Sequence, residues 1–256
     1  MKDRLPILDI WVDPFSREEA RQRVREFLQH GDRPHAIFAS NPEKNFSVPK
    51  DPELYQCYQK ADLLLPDGIG VVLAARLLHG VRLQRIPGSE FVFDLCALAE
   101  EGGYPLFVYG AREEVNRRSV ELLQQRYPRL RIAGRADGYV AEADMEALVE
   151  RINASGAAIL FLALGSPRQE RWFATHKDRL TTVRVVQGIG GTLDTIGGTV
   201  RRAPEFWCRH NLEWLYRLLA EPRRIKRQKV LPLFALRVCR QWLVQQCHRL
   251  RDRYRG

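Results

Sequence analysis

The stretch "AAILFLALGSPRQERW" (157–172) decides the architecture. Residues 157–164 are apolar without a break, so a strand here must be covered on both faces, as strands of a parallel sheet are. Gly165 ends the run, and Ser166-Pro167 open an amphipathic segment that reads as a helix with Ser166 as its cap. Working outward, the same apolar character recurs in "HAIFAS" (35–40), "ADLLLP" (61–66), "PLFVYG" (105–110), "LRIAG" (130–134) and "VRVVQG" (183–188). Between these runs, 17–29, 69–79, 89–101, 112–126 and 142–154 repeat apolar residues at helical spacing. Strand–helix alternation of this kind predicts a doubly wound, mostly parallel α/β sheet, with ligands bound beyond the carboxyl ends of its strands.

The chain has 256 residues and a net charge of +10, unevenly spread. Residues 201–256 hold 15 of the 41 Lys and Arg and 4 of the 31 Asp and Glu, a net +11, which leaves the first 200 residues at −1. A near-neutral body of 1–200 therefore carries a basic appendage of 201–256, which points to a polyanionic partner. In "EPRRIKRQKVLPLF" (221–234) the cations stand beside a short apolar run. Trp207, Leu212, Leu215 and Leu219 recur at helical spacing before it, and Pro222 and Pro232 are expected to interrupt the helix. Apolar residues interleaved with cations favour a membrane surface. A basic groove for RNA and a plainly solvated helix are the other readings. No apolar run reaches the roughly 18 residues that span a bilayer, and "MKDRLPILDIWVD" is too short for a signal peptide, so a soluble or peripheral protein is expected. Five scattered cysteines without a CxxC pair fit reduced thiols, and no His, Cys or Glu spacing suggests a metal site.

Three loops after strands could carry chemistry. In "LLPDGIGVVLAA" (64–75), Asp67 stands where a general base or a helix cap would. In "LALGSPRQERW" (162–172), Gly165 and Gln169 frame a helix N-terminus suited to an anion. In "QGIGGTLDTIGGTVRRAP" (187–204), Gly188, Gly190 and Gly191 resemble a phosphate loop, with Asp194 on the next turn; packing of a helix on the sheet would also need glycine. Asn41 in "FASNPEKNF" and Arg85 in "RIPGSEF" are further candidates for contact with ligand, or for a turn and a structural role.

Taken in order, "NPEKN", "ADLLLPDGIGVV", "RIPGSE", "ERINASGAAILFLALGSPRQE", "GIGGTLDTIGGTVRRAP" and "LEWLYRLLAEPRRIKRQ" resemble the WecG/TagA/CpsF family of bacterial glycosyltransferases, over about residues 7–230. The resemblance implies a Rossmann-like body that moves a sugar from a UDP-sugar to a polyprenyl-diphosphate-linked sugar, at the cytoplasmic face of the plasma membrane. It implies an inverting, metal-independent reaction with no cofactor. N-acetylmannosamine is the best-attested sugar; N-acetylmannosaminuronic acid and glucose are the alternatives, for teichoic acid, common antigen, capsule or exopolysaccharide. By the same resemblance Asp67 is the base, Gln169 is a pocket residue that contacts the sugar or nucleotide, and Asn41 lies in the matching strand-end loop; Gly165 with Gln169 is expected to hold UDP, and Arg85 is kept as a substrate-binding candidate. Gly188, Gly190, Gly191 and Asp194 lie beside UDP, and Arg217, Arg224 and Arg227 of the appendage offset its diphosphate. The other cations and the apolar positions of 230–242 would meet an anionic membrane or a neighbouring subunit. Teichoic-acid members often carry Thr where this chain has Ala39. The rivals are a nucleotide-dependent oxidoreductase, which the incomplete glycine fingerprint argues against, and a non-enzymatic adaptor for RNA or membrane.

Overall fold

The structure, a computed structural model, describes residues 3–200, 203–210, 212–220 and 229–253. A six-stranded sheet forms its centre. The strands are β3 (His35–Ser40), β4 (Leu63–Pro66), β5 (Leu106–Gly110), β6 (Ile132–Ala136), β7 (Ile159–Ala163) and β8 (Val185–Gly188). Their spatial order is β4-β3-β8-β7-β5-β6, and every pairing is parallel.

Alternate residues of each strand enter two cores, which is why the runs read as continuously apolar. On one face Ile37, Leu65, Val108, Phe161 and Val185 pack under α1 (Arg17–His30), α5 (Gly88–Gly102) and α6 (Glu113–Arg126). On the other, Phe38, Leu64, Phe107, Leu160 and Val186 meet α3 (Pro52–Gln59), α7 (Met145–Ala154) and α8 (Arg168–His176). The segment expected as strand 130–134 begins two residues later and stands at the sheet edge, where four of its five residues stay half-buried. The helix expected over 142–154 opens as a 3-10 turn, Glu142–Asp144, before α7.

One feature was not legible in the pattern. The N-terminal run forms an antiparallel hairpin of β1 (Leu5–Ile7) and β2 (Ile10–Val12). Asp13 then hooks it to β4, its amide donating to the Leu64 carbonyl at 3.0 Å and its carboxylate accepting the Leu64 amide at 2.7 Å. The unpaired side of the edge strand is thereby covered. The appendage contributes α10 (Glu205–Arg209), α11 (Glu213–Ala220) and α12 (Val230–Arg253).

Pro232 does not interrupt a helix. It sits in the first turn of α12, where a missing N–H leaves no acceptor unpaired; Pro222 lies outside the described residues. Nor do all apolar positions of 230–242 face outward. Phe234 and Val238 are buried with Ile7 and Val12 of the hairpin and with Val71, Ala74 and Leu78 of α4 (Ile69–His79). Leu233, Leu236, Leu243 and Val244, on the other side of α12, remain exposed. Arg237 pairs with Asp9 of the hairpin turn at 2.8 Å.

Candidate active site

The loops singled out in sequence meet along the carboxyl edge of the sheet. The connection leaving β5 runs outward to β6 and the one leaving β7 runs to β8 on the other side, so a topological switch point opens above β5 and β7. Gly165 borders it at the end of β7. The turn after β5 lies across from Gly165, with the Ala111 amide donating to the Ala163 carbonyl at 3.0 Å and its carbonyl accepting from the Gly138 amide at 2.7 Å. Arg168 reaches the Gly138 carbonyl at 3.3 Å.

Asp67 follows β4 directly. It is not the cap of α4, whose N-cap is Gly68 with no side-chain hydrogen bond. Its carboxylate turns away, and Oδ1 accepts the Gly88 amide at the start of α5 at 3.0 Å. Oδ2 faces Asn41 Nδ2 at 3.5 Å. The Asp67 amide donates to the Ser40 carbonyl at 3.1 Å, and Arg85 Nε donates to the Asp67 carbonyl at 2.9 Å. Asn41 accepts the Lys44 amide through Oδ1 at 3.3 Å, closing the turn between β3 and the short α2 (Lys44–Ser47). Asn41, Asp67 and Arg85 thus form one group, with the carboxylate aimed by a helix-terminal amide that favours its charge.

A second group lies beside it. Gln169 is buried in the first turn of α8, and its Oε1 accepts the Gly190 amide at 2.9 Å. Ser166 does not cap α8, whose N-cap is Pro167; the Ser166 hydroxyl meets Lys44 Nζ instead. Gly188 is buried beneath the Gln169 amide, and a Cβ on it would come within 2.5 Å of Gln169 Nε2. Its glycine makes room for a neighbouring side chain. Gly190, with a left-handed φ of 54°, and Gly191 are the accessible glycines. Asp194 stands in the short α9 (Thr192–Ile196), its carbonyl accepting from Thr199 Oγ1 at 2.9 Å and from the Val200 amide at 3.0 Å.

Of the appendage arginines, Arg217 falls on α11, where the backbone alone is described, and Arg224 and Arg227 lie outside the described residues. The appendage does approach the first group: the Phe234 ring of α12 packs beside Gly70, three residues after Asp67.

Sequence reasoning missed three buried polar residues that support these groups. Gln187 Nε2 donates to the Gly88 carbonyl at 2.9 Å, holding the residue whose amide holds Asp67. Lys44 and Glu170 are paired at 2.8 Å between the two groups. Lys44 follows the turn after β3 and Glu170 stands in the first turn of α8, where a charged residue reads as solvated unless the facing segment is known. Tyr58 lies under them, and burial, then the Glu170 charge, push its phenol well above the ordinary range, so it remains a hydrogen donor. Burial likewise pushes the Cys57 thiol up to about 12, which excludes it as a nucleophile near neutral pH. Among the described residues no three His, Cys, Asp or Glu side chains gather as a metal site would require.

The chain matches the glycosyl transferase WecG/TagA/CpsF family over residues 5–248. It is 37% identical over 203 residues to an N-acetylglucosaminyldiphosphoundecaprenol N-acetyl-beta-D-mannosaminyltransferase of Bacillus spizizenii, covering 79% of this chain and 77% of the relative. A protein of the same description from Bacillus subtilis is 36% identical over 205 residues, covering 80% of this chain and 79% of the relative. A parallel α/β sheet with its polar residues gathered at the carboxyl edge, matched over nearly its whole length, identifies the chain as a glycosyltransferase of the WecG/TagA/CpsF family.

Proposed function

We propose that this protein transfers N-acetylmannosamine from its UDP-sugar to N-acetylglucosamine carried on a polyprenyl diphosphate, with inversion and without a metal. The observation that carries the reading is Asp67: a carboxylate at the carboxyl edge of the sheet, fixed by the Gly88 amide and facing Asn41, next to the Gln169–Gly190 loops. The names of the two relatives support the acceptor and the sugar.

In the proposed reaction Asp67 takes the proton of the acceptor hydroxyl. That oxygen bonds to the anomeric carbon as the bond from carbon to the β-phosphate oxygen breaks, and the electron pair leaves with UDP. The diphosphate lies against the Gly190–Gly191 turn and the segment Gly165–Gln169 that leads into α8, where a helix N-terminus favours negative charge. Arg217, Arg224 and Arg227 of the appendage neutralise the charge that develops on UDP. Guanidinium groups suit this because they bind phosphate in a bidentate way. Each preorganised donor of this kind contributes on the order of 10²–10³ in rate.

The exposed face of α12 supports peripheral contact with an anionic membrane, where a polyprenyl chain is anchored. Leu233, Leu236 and Leu243 stand there beside Arg240. No helix among the described residues is long and apolar enough to cross a membrane.

The test is UDP release by the purified protein in chelator, with synthetic lipid-diphosphate-N-acetylglucosamine and a panel of UDP-sugars. The panel includes glucose and N-acetylmannosaminuronic acid, since Ala39 stands where teichoic-acid members often carry Thr. Acceptor-dependent release with the N-acetylmannosamine donor is expected. Release only with another donor would overturn the sugar, a strict need for divalent cation would overturn the metal-free step, and no UDP binding would overturn the reading as a whole.

A further inference from the structure

Lys44 and Glu170 are both buried, with 7% and 1% of their surfaces exposed, and neither belongs to the proposed chemistry. Their charges meet at 2.8 Å through Glu170 Oε1. The same oxygen lies 3.5 Å from the Tyr58 hydroxyl and 3.4 Å from Gln169 Nε2. Lys44 Nζ also meets the Ser166 hydroxyl and stands 5.1 Å from the centre of the Tyr58 ring. Such a pair is a poor source of stability, because taking two charges out of water costs about as much as their attraction returns. What it does fix is geometry.

Each partner is tied to one half of the site. The Lys44 amide donates to the Asn41 carbonyl at 3.1 Å and to Asn41 Oδ1 at 3.3 Å, and Asn41 faces Asp67. Glu170 directly follows Gln169, which holds the Gly190 amide. The strands leading to Lys44 and Glu170, β3 and β7, are not neighbours; β8 lies between them. The pair therefore spans the end of β8 and joins two loops that share no strand pairing.

We infer that Lys44 and Glu170 are positioning residues for sugar transfer, setting the base side of the site, Asn41 and Asp67, at a fixed distance from the diphosphate side, Gln169 and Gly190. The inference deepens the transfer reading and rests on it. Loosening the link lets the two sides drift, and a displacement near 1 Å costs about 10²-fold in turnover.

The deciding variant is Lys44→Met/Glu170→Met, which removes both charges and leaves neither unpaired. Its melting temperature, the hydrogen exchange of the peptide containing Gly190 and its steady-state kinetics are measured against wild type, with Glu170→Gln as a second variant of nearly unchanged shape. Expected for the double variant are a melting temperature close to wild type, exchange faster by about tenfold at Gly190 but not in β5 or β7, and kcat lower by about 10- to 100-fold with donor KM changed less than about threefold; Glu170→Gln leaves the Lys44 charge unpaired, so only its Gly190 exchange is used. A merely structural pair would lower the melting temperature and raise exchange throughout, with turnover per folded molecule preserved; that result would overturn the inference. So would unchanged Gly190 exchange in both variants. Exchange needs no substrate, so a wild-type protein that transferred no sugar would defeat the proposed function alone, and Gly190 would still decide the positioning role.

Discussion

Replacing Gly188 with alanine is expected to damage the site from beneath while leaving the fold intact. The new Cβ would lie 2.5 Å from Gln169 Nε2, 3.0 Å from its Cδ and 3.2 Å from Phe38 Cδ1. Ordinary carbon contacts are about 3.5–4.0 Å, so the Gln169 amide must retreat by roughly 1 Å. Phe38 cannot make the room, because it is buried in the sheet and packed against the Tyr58 and Phe173 rings, with centroids 5.6 and 5.9 Å away. A retreat of that size stretches the 2.9 Å bond from the Gly190 amide to Gln169 Oε1 beyond hydrogen-bonding range. Overpacking together with a lost buried hydrogen bond should cost about 1–3 kcal/mol. For a chain of this length each kcal/mol lowers the melting temperature by about 2–4 °C, so a drop of roughly 2–12 °C is expected. Turnover should fall about 10²-fold, because the Gly190 loop is no longer held against α8. Thermal unfolding and UDP release measure the two effects. Adding Gln169→Ala should make room for the new methyl, so the double variant should be more stable than the sum of the singles by about 1–2 kcal/mol. If Gly188→Ala melts with wild type and transfers within threefold of it, Gln169 does not lie across the strand end and the account of this glycine is wrong.

Three further outcomes are expected. Asp67→Asn should lose about 10²–10⁴ in kcat while still binding UDP, since an amide oxygen can accept from Gly88 but cannot take a proton; near wild-type turnover in a transfer assay would remove the base assignment. Phe234→Ala should loosen α12 from the hairpin and α4 at a cost of about 3–5 kcal/mol, read as faster proteolysis within 229–253 with the sheet unchanged; equal cleavage rates would show that the buried ring does not dock the helix. Burial works to raise the Asp62 carboxyl, but hydrogen bonds from Arg33, His35 and the Ala36 amide outweigh it and hold the group below its ordinary 3.8. Its contribution to stability is therefore complete above that value and lost as pH falls below it. Asp62→Asn should lower stability at neutral pH and flatten the loss as pH falls below the ordinary carboxylate value, and parallel stability curves for the two proteins would contradict this.

The layers of this protein, and the polar and glycine-rich loops at the carboxyl ends of its strands, are written locally in the chain. A strand buried on both faces must be apolar throughout, and a helix on a sheet must repeat its apolar residues near every third or fourth position, so six strands and five of the main helices were legible locally. The loops holding Asp67, Gln169 and Gly190 were legible as turns after buried strands, although a cap, a tight turn or close helix packing satisfies each of them locally as well. Strand order was not, since any parallel order satisfies the same local pattern. Only the tertiary structure put β8 between β3 and β7, laid Gln169 over Gly188, and brought Lys44 to Glu170 from 126 residues away. It also decided which side of α12 is buried: Phe234 and Val238 look like their neighbours in the sequence, and only the presence of α4 and the hairpin beneath them separates the docked face from the exposed one. Burial alternation is a property of each segment, whereas the pairing of distant polar groups depends on which segments become neighbours, and that is set by the packing of the whole chain.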